Sequence, residues 1–200
     1  MATRALVIDL GYCLDMATAR RAGAEVAVEG LWEGVPGGRD RFSVDEFLAT
    51  RERVADEFRG RDPGNLTLTA IERMLEEAGV VDTDLALAVD AVYREVRDRA
   101  AVPARLVPGI LGGIRNRMRL ALITVGLIDW RMLGVEFDTV LMPRSIGLGR
   151  GEPVLISRAA ERLGVGAAEL LVISDPDSPL TRAATTLGVA TGSWETVAAL

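Results

Sequence analysis

The sequence predicts an α/β protein built on a parallel sheet, with an all-helical segment inserted after the first strand. Four short apolar runs end at Asp9, Thr124, Met142 and Asp175, and none alternates with polar residues, as is typical of parallel strands buried on both faces. Helical patterns separate the later runs, and alternation of strands with helices predicts βαβ units in one sheet. Residues 15–101 carry helical patterns throughout.

Composition limits the class of protein before any motif is considered. The chain has 200 residues and is 49% hydrophobic, which suits one domain or a core with an insertion. Its net charge of −6 argues against nucleic acid or an anionic membrane surface as a partner and leaves a small-molecule ligand. All 23 basic residues are arginine and histidine is absent, so imidazole catalysis, Schiff-base lysine and His-ligated metal are excluded.

Other features of the sequence bear on the protein's location. The single cysteine, Cys13, excludes an intramolecular disulfide and a cysteine zinc cluster. The sequence shows no secretory leader and no long apolar span, so we expect a soluble, cytoplasmic protein with no membrane partner. The oligomeric state stays open.

The helical segment contains clear start and stop signals. Ser43 and Glu46 form a capping box at the start of one helix. Another helix is predicted to begin at Thr67 or Thr69 and to end at Gly79. The following helix is predicted to bury a stripe made of Leu85, Val89, Val92, Tyr93 and Val96.

After residue 103 the pattern changes from helices alone to alternating elements. Glycine and proline mark the limits of several of these elements. The predicted strands are residues 120–124, 138–142, 170–175 and 188–191, and the predicted helices are residues 107–116, 153–163 and 181–187.

Polar residues close three of the apolar runs, and a cation precedes a helix. Asp9, Thr124 and Asp175 stand at the ends of strands, where open α/β sheets bind ligands. Arg150 lies in a glycine-rich loop just before the helix that follows it. We therefore expect a site at one edge of the sheet.

These motifs, in this order, resemble the haloacid dehalogenase (HAD) superfamily over nearly the whole chain. The family's first motif is an apolar strand followed by Asp-x-Asp-Gly-Thr-Leu, which stands here as Asp9-Leu-Gly-Tyr-Cys-Leu14. Its second motif, a strand ending in Thr or Ser, matches Leu122-Ile-Thr124. Its third motif, a Lys ahead of a helix, matches Arg150-Gly-Glu-Pro153, and its fourth, Gly-Asp, matches Ser174-Asp175.

The resemblance implies a fold and a division into domains. It implies a Rossmann-like HAD core formed by residues 1–14 and 102–200, with strand order 5-4-1-2-3. Residues 15–101 look like the family's helical cap, which closes over the site and selects the substrate. Trp32, beside a glycine-rich loop of this cap, is a candidate substrate contact.

The resemblance also implies roles for individual residues. Asp9 would be the nucleophile that forms a covalent aspartyl intermediate, and Thr124 would donate to a phosphoryl oxygen. Arg150 would replace the family's Lys. Mg²⁺ would be held by Asp9, Asp175 and the main-chain carbonyl of Gly11.

The chain departs from the family pattern at the catalytic positions. Gly11 replaces the second Asp of the first motif, the general acid and base, and this loss should lower the rate by a factor of ~10²–10⁴. Tyr12 replaces a glycine and places a bulky ring at the mouth of the site. Leu180 aligns with the later Asp of the fourth motif, so Asp177 is a candidate substitute at a shifted position.

The same departures bear on the metal. Two carboxylates are a thin ligand set for Mg²⁺, which demands near-octahedral oxygen coordination. We therefore expect Mg²⁺ to bind weakly or not at all, with a contact between Asp9 and Arg150 in its place.

Three functions are compatible with this pattern. The leading hypothesis is a HAD-like hydrolase with attenuated or lost phosphatase activity, which would act through Asp9 on a small phosphorylated or related metabolite. The alternative is a non-catalytic binding or interaction module on the same fold. The third is a metal-independent, dehalogenase-like hydrolase, although that branch places its Tyr directly after the residue following the nucleophile, and here Gly11 intervenes before Tyr12.

Overall fold

The computed structural model describes residues 3–58, 65–124, 128–149 and 151–200. The chain divides into two compact units, one made of Met1–Asp15 with Val102–Leu200 and the other of Met16–Ala101. The first boundary lies one residue later than the predicted one, and the second lies at the predicted position.

Within the described residues the sheet has five strands, all of them parallel. Their spatial order is β3-β2-β1-β4-β5, which confirms the predicted order. The strands are β1 (Ala5–Asp9), β2 (Arg119–Ile123), β3 (Thr139–Leu141), β4 (Leu170–Ile173) and β5 (Ala190–Gly192).

Eight α-helices lie within the described residues, four of them in the helical unit. The last helix and the 3₁₀ turns were not predicted from the sequence. The helices are α1 (Met16–Gly34), α2 (Val44–Glu57), α3 (Leu66–Glu77), α4 (Thr83–Ala100), α5 (Val107–Ile114), α6 (Pro153–Leu163), α7 (Pro179–Thr186) and α8 (Trp194–Ala198).

The central strand is buried on both faces, as its continuous apolar run predicts. All five residues of β1 are buried, and Ala5 and Val7 share one hydrophobic cluster with side chains of α6 and α7. Full burial of each large apolar side chain contributes about 1.5–3 kcal/mol. This packing holds β1 rigidly, and with it the residue that ends the strand.

The strand register brings the predicted site residues to one edge of the sheet. Asp9 pairs with Ile123, so Thr124 follows the residue directly opposite Asp9. Ile8 pairs with Ile173 on the other side, which places Ser174 and Asp175 just beyond that end of β4. Adjacent strands lie about 4.8 Å apart, so these groups are neighbours.

The helical unit has its own hydrophobic core, drawn from all four of its helices. Only half of the predicted capping box is seen in the described residues: Ser43 Oγ accepts the N–H of Glu46 over 3.2 Å, and no contact returns from the Glu46 side chain to the N–H of Ser43. The predicted start of α3 was wrong: its N-cap is Asn65, whose Oδ1 accepts the N–H of Leu68 over 3.3 Å.

One face of α4 also differs from the prediction. Val92, assigned to the buried stripe, is 42% exposed, whereas Asp90 is fully buried. Asp90 is retained inside because Asn65 Nδ2 donates to its Oδ2 over 2.6 Å and Arg94 pairs with the same oxygen over 2.9 Å. Across the described part of the chain, no helix is both long and apolar enough to cross a membrane.

Candidate active site

Asp9 ends the central strand as a buried carboxylate held by two donors. Its side chain is only 3% exposed. Oδ1 accepts the backbone N–H of Gly11 over 2.9 Å, and Oδ2 accepts the hydroxyl of Ser174 over 2.9 Å. A buried carboxylate needs such partners because desolvation of an unsatisfied charge is costly. The two contacts fix the direction in which the carboxylate points.

A second hydroxyl extends this contact to a helix. The Oγ atoms of Ser174 and Ser178 lie 2.7 Å apart. Ser174 gives its hydrogen to an acceptor-only carboxylate, so the single hydroxyl hydrogen of Ser178 is shared between Ser174 Oγ and Thr181 Oγ1, which lies 3.2 Å away. Ser178 is also the N-cap of α7 and accepts the N–H of Thr181 over 3.0 Å. The orientation of Asp9 is therefore linked to the start of α7.

Thr124 presents a buried hydroxyl beside the nucleophile candidate. Its backbone N–H donates to the carbonyl of Leu141 over 3.0 Å, which continues the sheet beyond β2. Its side chain is 3% exposed, and Oγ1 has no hydrogen-bond partner among the described residues. Leaving such a group unsatisfied costs about 1–3 kcal/mol. The hydroxyl is therefore available to a ligand oxygen.

The fourth-motif loop carries two exposed carboxylates. Asp175 Oδ1 accepts the backbone N–H of Asp177 over 2.9 Å, and the main-chain oxygen of Asp177 accepts Arg182 over 2.7 Å. Leu180 is fully buried in the hydrophobic cluster of the sheet. It therefore provides packing where the family pattern has a carboxylate.

Tyr12 stacks on an aromatic residue that the sequence did not connect with the site. The rings of Tyr12 and Trp194 lie 6.3 Å apart at an angle of 13°, and the indole N–H donates to the Tyr12 carbonyl over 2.9 Å. Burial raises the pKa of Tyr12, and the charges of Glu195 and then Asp175 raise it further. The ring is therefore half-buried on α8 and close to the exposed carboxylates.

Cys13 is a packing residue with no nucleophilic role. It is fully buried, and its Sγ donates to the carbonyl of Asp9 over 3.3 Å. Burial raises the pKa of the thiol well above its usual value, and the charge of Asp9 raises it further. Because the thiolate is the reactive form, this thiol is inert near neutral pH.

The structure does not test the roles predicted for two further residues. Arg150 lies outside the described residues, so its predicted contact with Asp9 stays a prediction. Trp32 belongs to the helical unit, where its indole N–H donates to the carbonyl of Phe42 over 2.8 Å and Arg39 lies over its ring at 5.7 Å. Its contact with substrate also stays a prediction.

The described residues fit Mg²⁺ poorly. In the described ranges, no three Asp, Glu, His or Cys residues come together in a way that could hold a metal ion. A hydrogen of Ser174 already points at Oδ2 of Asp9, and Asp175 Oδ1 is engaged by a backbone N–H. Mg²⁺ requires near-octahedral oxygen ligands. The predicted weak affinity is therefore consistent with the donor set and awaits titration.

Sequence reasoning missed Ser178 and Trp194. A signal for Ser178 was present, because serine directly before a proline is a typical N-cap and N1 pair. No local signal connects Trp194 with Tyr12, since 182 residues separate them.

Comparison with known proteins gives the chain's structural relatives. No family model matches it, and no curated protein matches it either. It is similar to a 2-haloacid dehalogenase from Pseudomonas syringae, with 26% identity over 94% of this chain and 85% of that one and a TM-score of 0.58.

Two further structures are more similar in shape and less similar in sequence. YfnB of Bacillus subtilis, named as a HAD-hydrolase and bound to magnesium, has 16% identity, covers 96% of this chain and 88% of its own, and gives a TM-score of 0.72. A Thermotoga maritima protein named as a beta-phosphoglucomutase has 17% identity to this chain. The match covers 98% of this chain and 97% of that one, with a TM-score of 0.70. By its Rossmann-like fold and the order of its motifs, the chain belongs to the haloacid dehalogenase superfamily.

Proposed function

We propose that the protein is a HAD-like hydrolase with attenuated phosphatase activity, which acts on a small phosphorylated metabolite through an aspartyl intermediate on Asp9. The observation that carries this proposal is the environment of Asp9. The carboxylate is buried and oriented by Gly11 and Ser174, as a nucleophile requires. Position 11 contributes only its backbone N–H, so it supplies no acid or base.

In the first step, a carboxylate oxygen of Asp9 attacks phosphorus. The bond between phosphorus and the leaving oxygen breaks, and its electron pair departs with the leaving group. The hydroxyl of Thr124, which lacks a partner in the described residues, donates to a non-bridging phosphoryl oxygen. Ser174 holds the carboxylate in place, so little orientational freedom is lost in reaching the transition state.

The missing acid determines which substrates react. Without a proton donor, the leaving oxygen departs as an anion, so acyl and aryl phosphates should react much faster than alkyl phosphates. Water must then attack the aspartyl phosphate without a base and lose its proton to solvent. Positioned proton transfer contributes about 10²–10⁴-fold, so the intermediate should accumulate.

A leaving-group series tests the proposal. Single-turnover rates of leaving-group release, with the protein in excess of the substrate, are measured for aryl phosphates of graded phenol pKa and for one alkyl phosphate, with Asp9→Asn as the inactive control. We expect rates that fall steeply as the leaving group becomes more basic. Equal and fast turnover of aryl and alkyl phosphates would contradict the proposal, because another group such as Asp177 would then be supplying the proton.

Metal-independent dehalogenation is the second candidate, and one chemical observation favours it. In its first step, an oxygen of Asp9 attacks carbon and the carbon–halogen bond breaks. Halide departs as a stable anion and needs no proton, so the lack of an acid at Gly11 does not slow this step. The 26% identity to a 2-haloacid dehalogenase is consistent with this. Halide release from 2-chloropropionate by the wild type, lost in Asp9→Asn, would support it. Absence of both reactions would leave a non-catalytic binding module.

A further inference from the structure

Four arginine residues line one cleft at the opposite edge of the sheet from Asp9. The cleft has a volume of about 270 Å³. Arg4 directly precedes β1 and Arg119 begins β2, and Arg115 and Arg117 come from the turn between α5 and β2. Because β1 rises about 3.3 Å per residue, five residues separate the cleft from Asp9 by about 16 Å.

The charges in the cleft are only partly neutralised. Arg4 pairs with Glu169 over 2.9 Å, and Arg115 pairs with both oxygens of Asp138 over 3.1 Å. Four side-chain cations therefore face two side-chain carboxylates among the described residues, and Leu200, the last residue, adds its α-carboxylate.

The other two guanidinium groups contact main-chain oxygens. Arg117 donates to the carbonyl of Gly113 over 3.4 Å and to the α-carboxylate of Leu200 over 3.1 Å, and Arg119 donates to the carbonyl of Leu163. Each keeps donors that no described contact uses. This concentration of positive charge stands in a chain whose net charge is −6.

The form of the cleft defines the ligand further. A guanidinium presents a planar fork that matches phosphate bidentately, and a cleft focuses the potential of its lining charges. Arg117 and Arg119 line the cleft and keep unused N–H donors, so a ligand with one phosphate group for each guanidinium would match them. Asn116 adds an amide at the rim, and half-buried Met118 and Val165 complete the lining.

We propose that this cleft binds a compact polyanion with two linked phosphate groups, of the class of inorganic pyrophosphate. The volume of the cleft, about 270 Å³, lies just below the usual range for small-molecule sites, about 300–1,000 Å³, so the ligand must be small. A macromolecular partner would instead bury about 800 Å² on each side, much more than seven lining residues offer. This proposal does not depend on catalysis by Asp9.

Calorimetric titration with sodium pyrophosphate at constant ionic strength tests the proposal. The Arg117→Gln/Arg119→Gln double variant should bind roughly 100-fold more weakly than the wild type, about tenfold for each guanidinium group removed. A matched control, Arg105→Gln/Arg158→Gln, removes the same charge outside the cleft and should bind as the wild type does. Asn116→Glu places a carboxylate at the exposed rim, so it should abolish binding without affecting the fold.

The alternatives give different results, and each would overturn the proposal. Equal weakening in both double variants would indicate non-specific attraction to net positive charge. Loss of binding in Asp9→Asn would place the anion at the other edge of the sheet. Binding of an oligonucleotide or heparin without binding of pyrophosphate would indicate a macromolecular surface, and no binding of any of them would exclude a site.

Discussion

The hydroxyl of Ser174 donates to Oδ2 of Asp9 over 2.9 Å, and both side chains are only 3% exposed. The contact joins the ends of two adjacent strands, β1 and β4, at the edge of the sheet where the candidate site lies. The HAD pattern has glycine where Ser174 stands, so this hydroxyl is a feature of the present chain. It places a neutral hydrogen-bond donor against the candidate nucleophile.

Replacing Ser174 should therefore destabilise the fold through Asp9. We expect Ser174→Ala to lower the free energy of unfolding by about 1–3 kcal/mol, because Oδ2 stays buried and loses its donor. Urea denaturation measures the change. Ser157→Ala, which removes an exposed hydroxyl on α6, is the control and should change stability by less than about 0.5 kcal/mol.

A double-mutant cycle separates this hydrogen bond from general packing. If the hydroxyl acts on the carboxylate, Ser174→Ala should cost less in an Asp9→Asn background than in the wild type. The same cost in both backgrounds would show that the two groups do not interact energetically.

Restoring a carboxylate at position 11 should restore proton transfer. Gly11 lies in a 3₁₀ turn, Leu10–Cys13, and is not one of the glycines with positive φ, so the backbone accepts a side chain. We expect Gly11→Asp to raise alkyl phosphate hydrolysis by about 10²–10⁴-fold. Gly11→Asn, similar in shape but unable to exchange a proton, is the matched control, and an equal gain in both variants would argue against the proton-transfer explanation.

The strand order could be predicted only through the resemblance to the HAD superfamily, which the order of the motifs indicates, whereas the strands themselves could be predicted from local patterns. Uninterrupted apolar runs specify buried parallel strands, and α6 has the predicted limits because Pro153 starts it and Gly164, at φ 63°, ends it. The placement of Asp9 and Thr124 at one edge then followed from parallel topology alone.

The contacts inside the site could not be predicted in the same way. Ser174 and Asp9 are 165 positions apart, and their hydrogen bond depends on strand register and side-chain rotamer. The prediction of the buried face of α4 used hydrophobicity alone and therefore placed Asp90 outside. Asp90 is buried because Asn65 and Arg94 offset the cost of removing its carboxylate from water.

Thr124 should show opposite effects on stability and on ligand affinity. Thr124→Val removes a buried hydroxyl that has no described partner, so we expect the free energy of unfolding to rise by about 1 kcal/mol. The same change should weaken binding of the phosphate analogue vanadate about tenfold, the worth of one hydrogen bond. Thr124→Ser keeps the hydroxyl and should retain the affinity. A loss of stability in Thr124→Val would indicate that the hydroxyl has a structural partner.

Cys13 should be unreactive in the folded protein. Its thiol is the only one in the chain, so labelling with a thiol reagent at mildly alkaline pH reports on it alone. We expect slow labelling in buffer and rapid labelling in urea, because burial and the charge of Asp9 raise the pKa of Cys13 in the folded state. Rapid labelling of the folded protein would show that this region opens easily.

The same shift gives the stability of the protein a pH dependence. Above the ordinary thiol pKa of about 8.5 the unfolded chain loses this proton while the folded chain keeps it. The folded state then binds more protons, so stability should fall as the pH rises above that value. Cys13→Ala should reduce this alkaline loss of stability, and an unchanged profile would assign the loss to other groups.

The most direct measurement of the proposed function is the mass of the protein after reaction with an acyl phosphate. The wild type, mixed with acetyl phosphate and quenched in acid, should gain the mass of one phosphoryl group, and peptide mapping should locate it on Asp9. Gly11→Asp should lose this adduct faster, since its base activates water, and Asp9→Asn should never acquire it. An unmodified wild type, or a phosphoryl group at any other residue, would contradict the assignment of Asp9 as the nucleophile of an attenuated phosphatase.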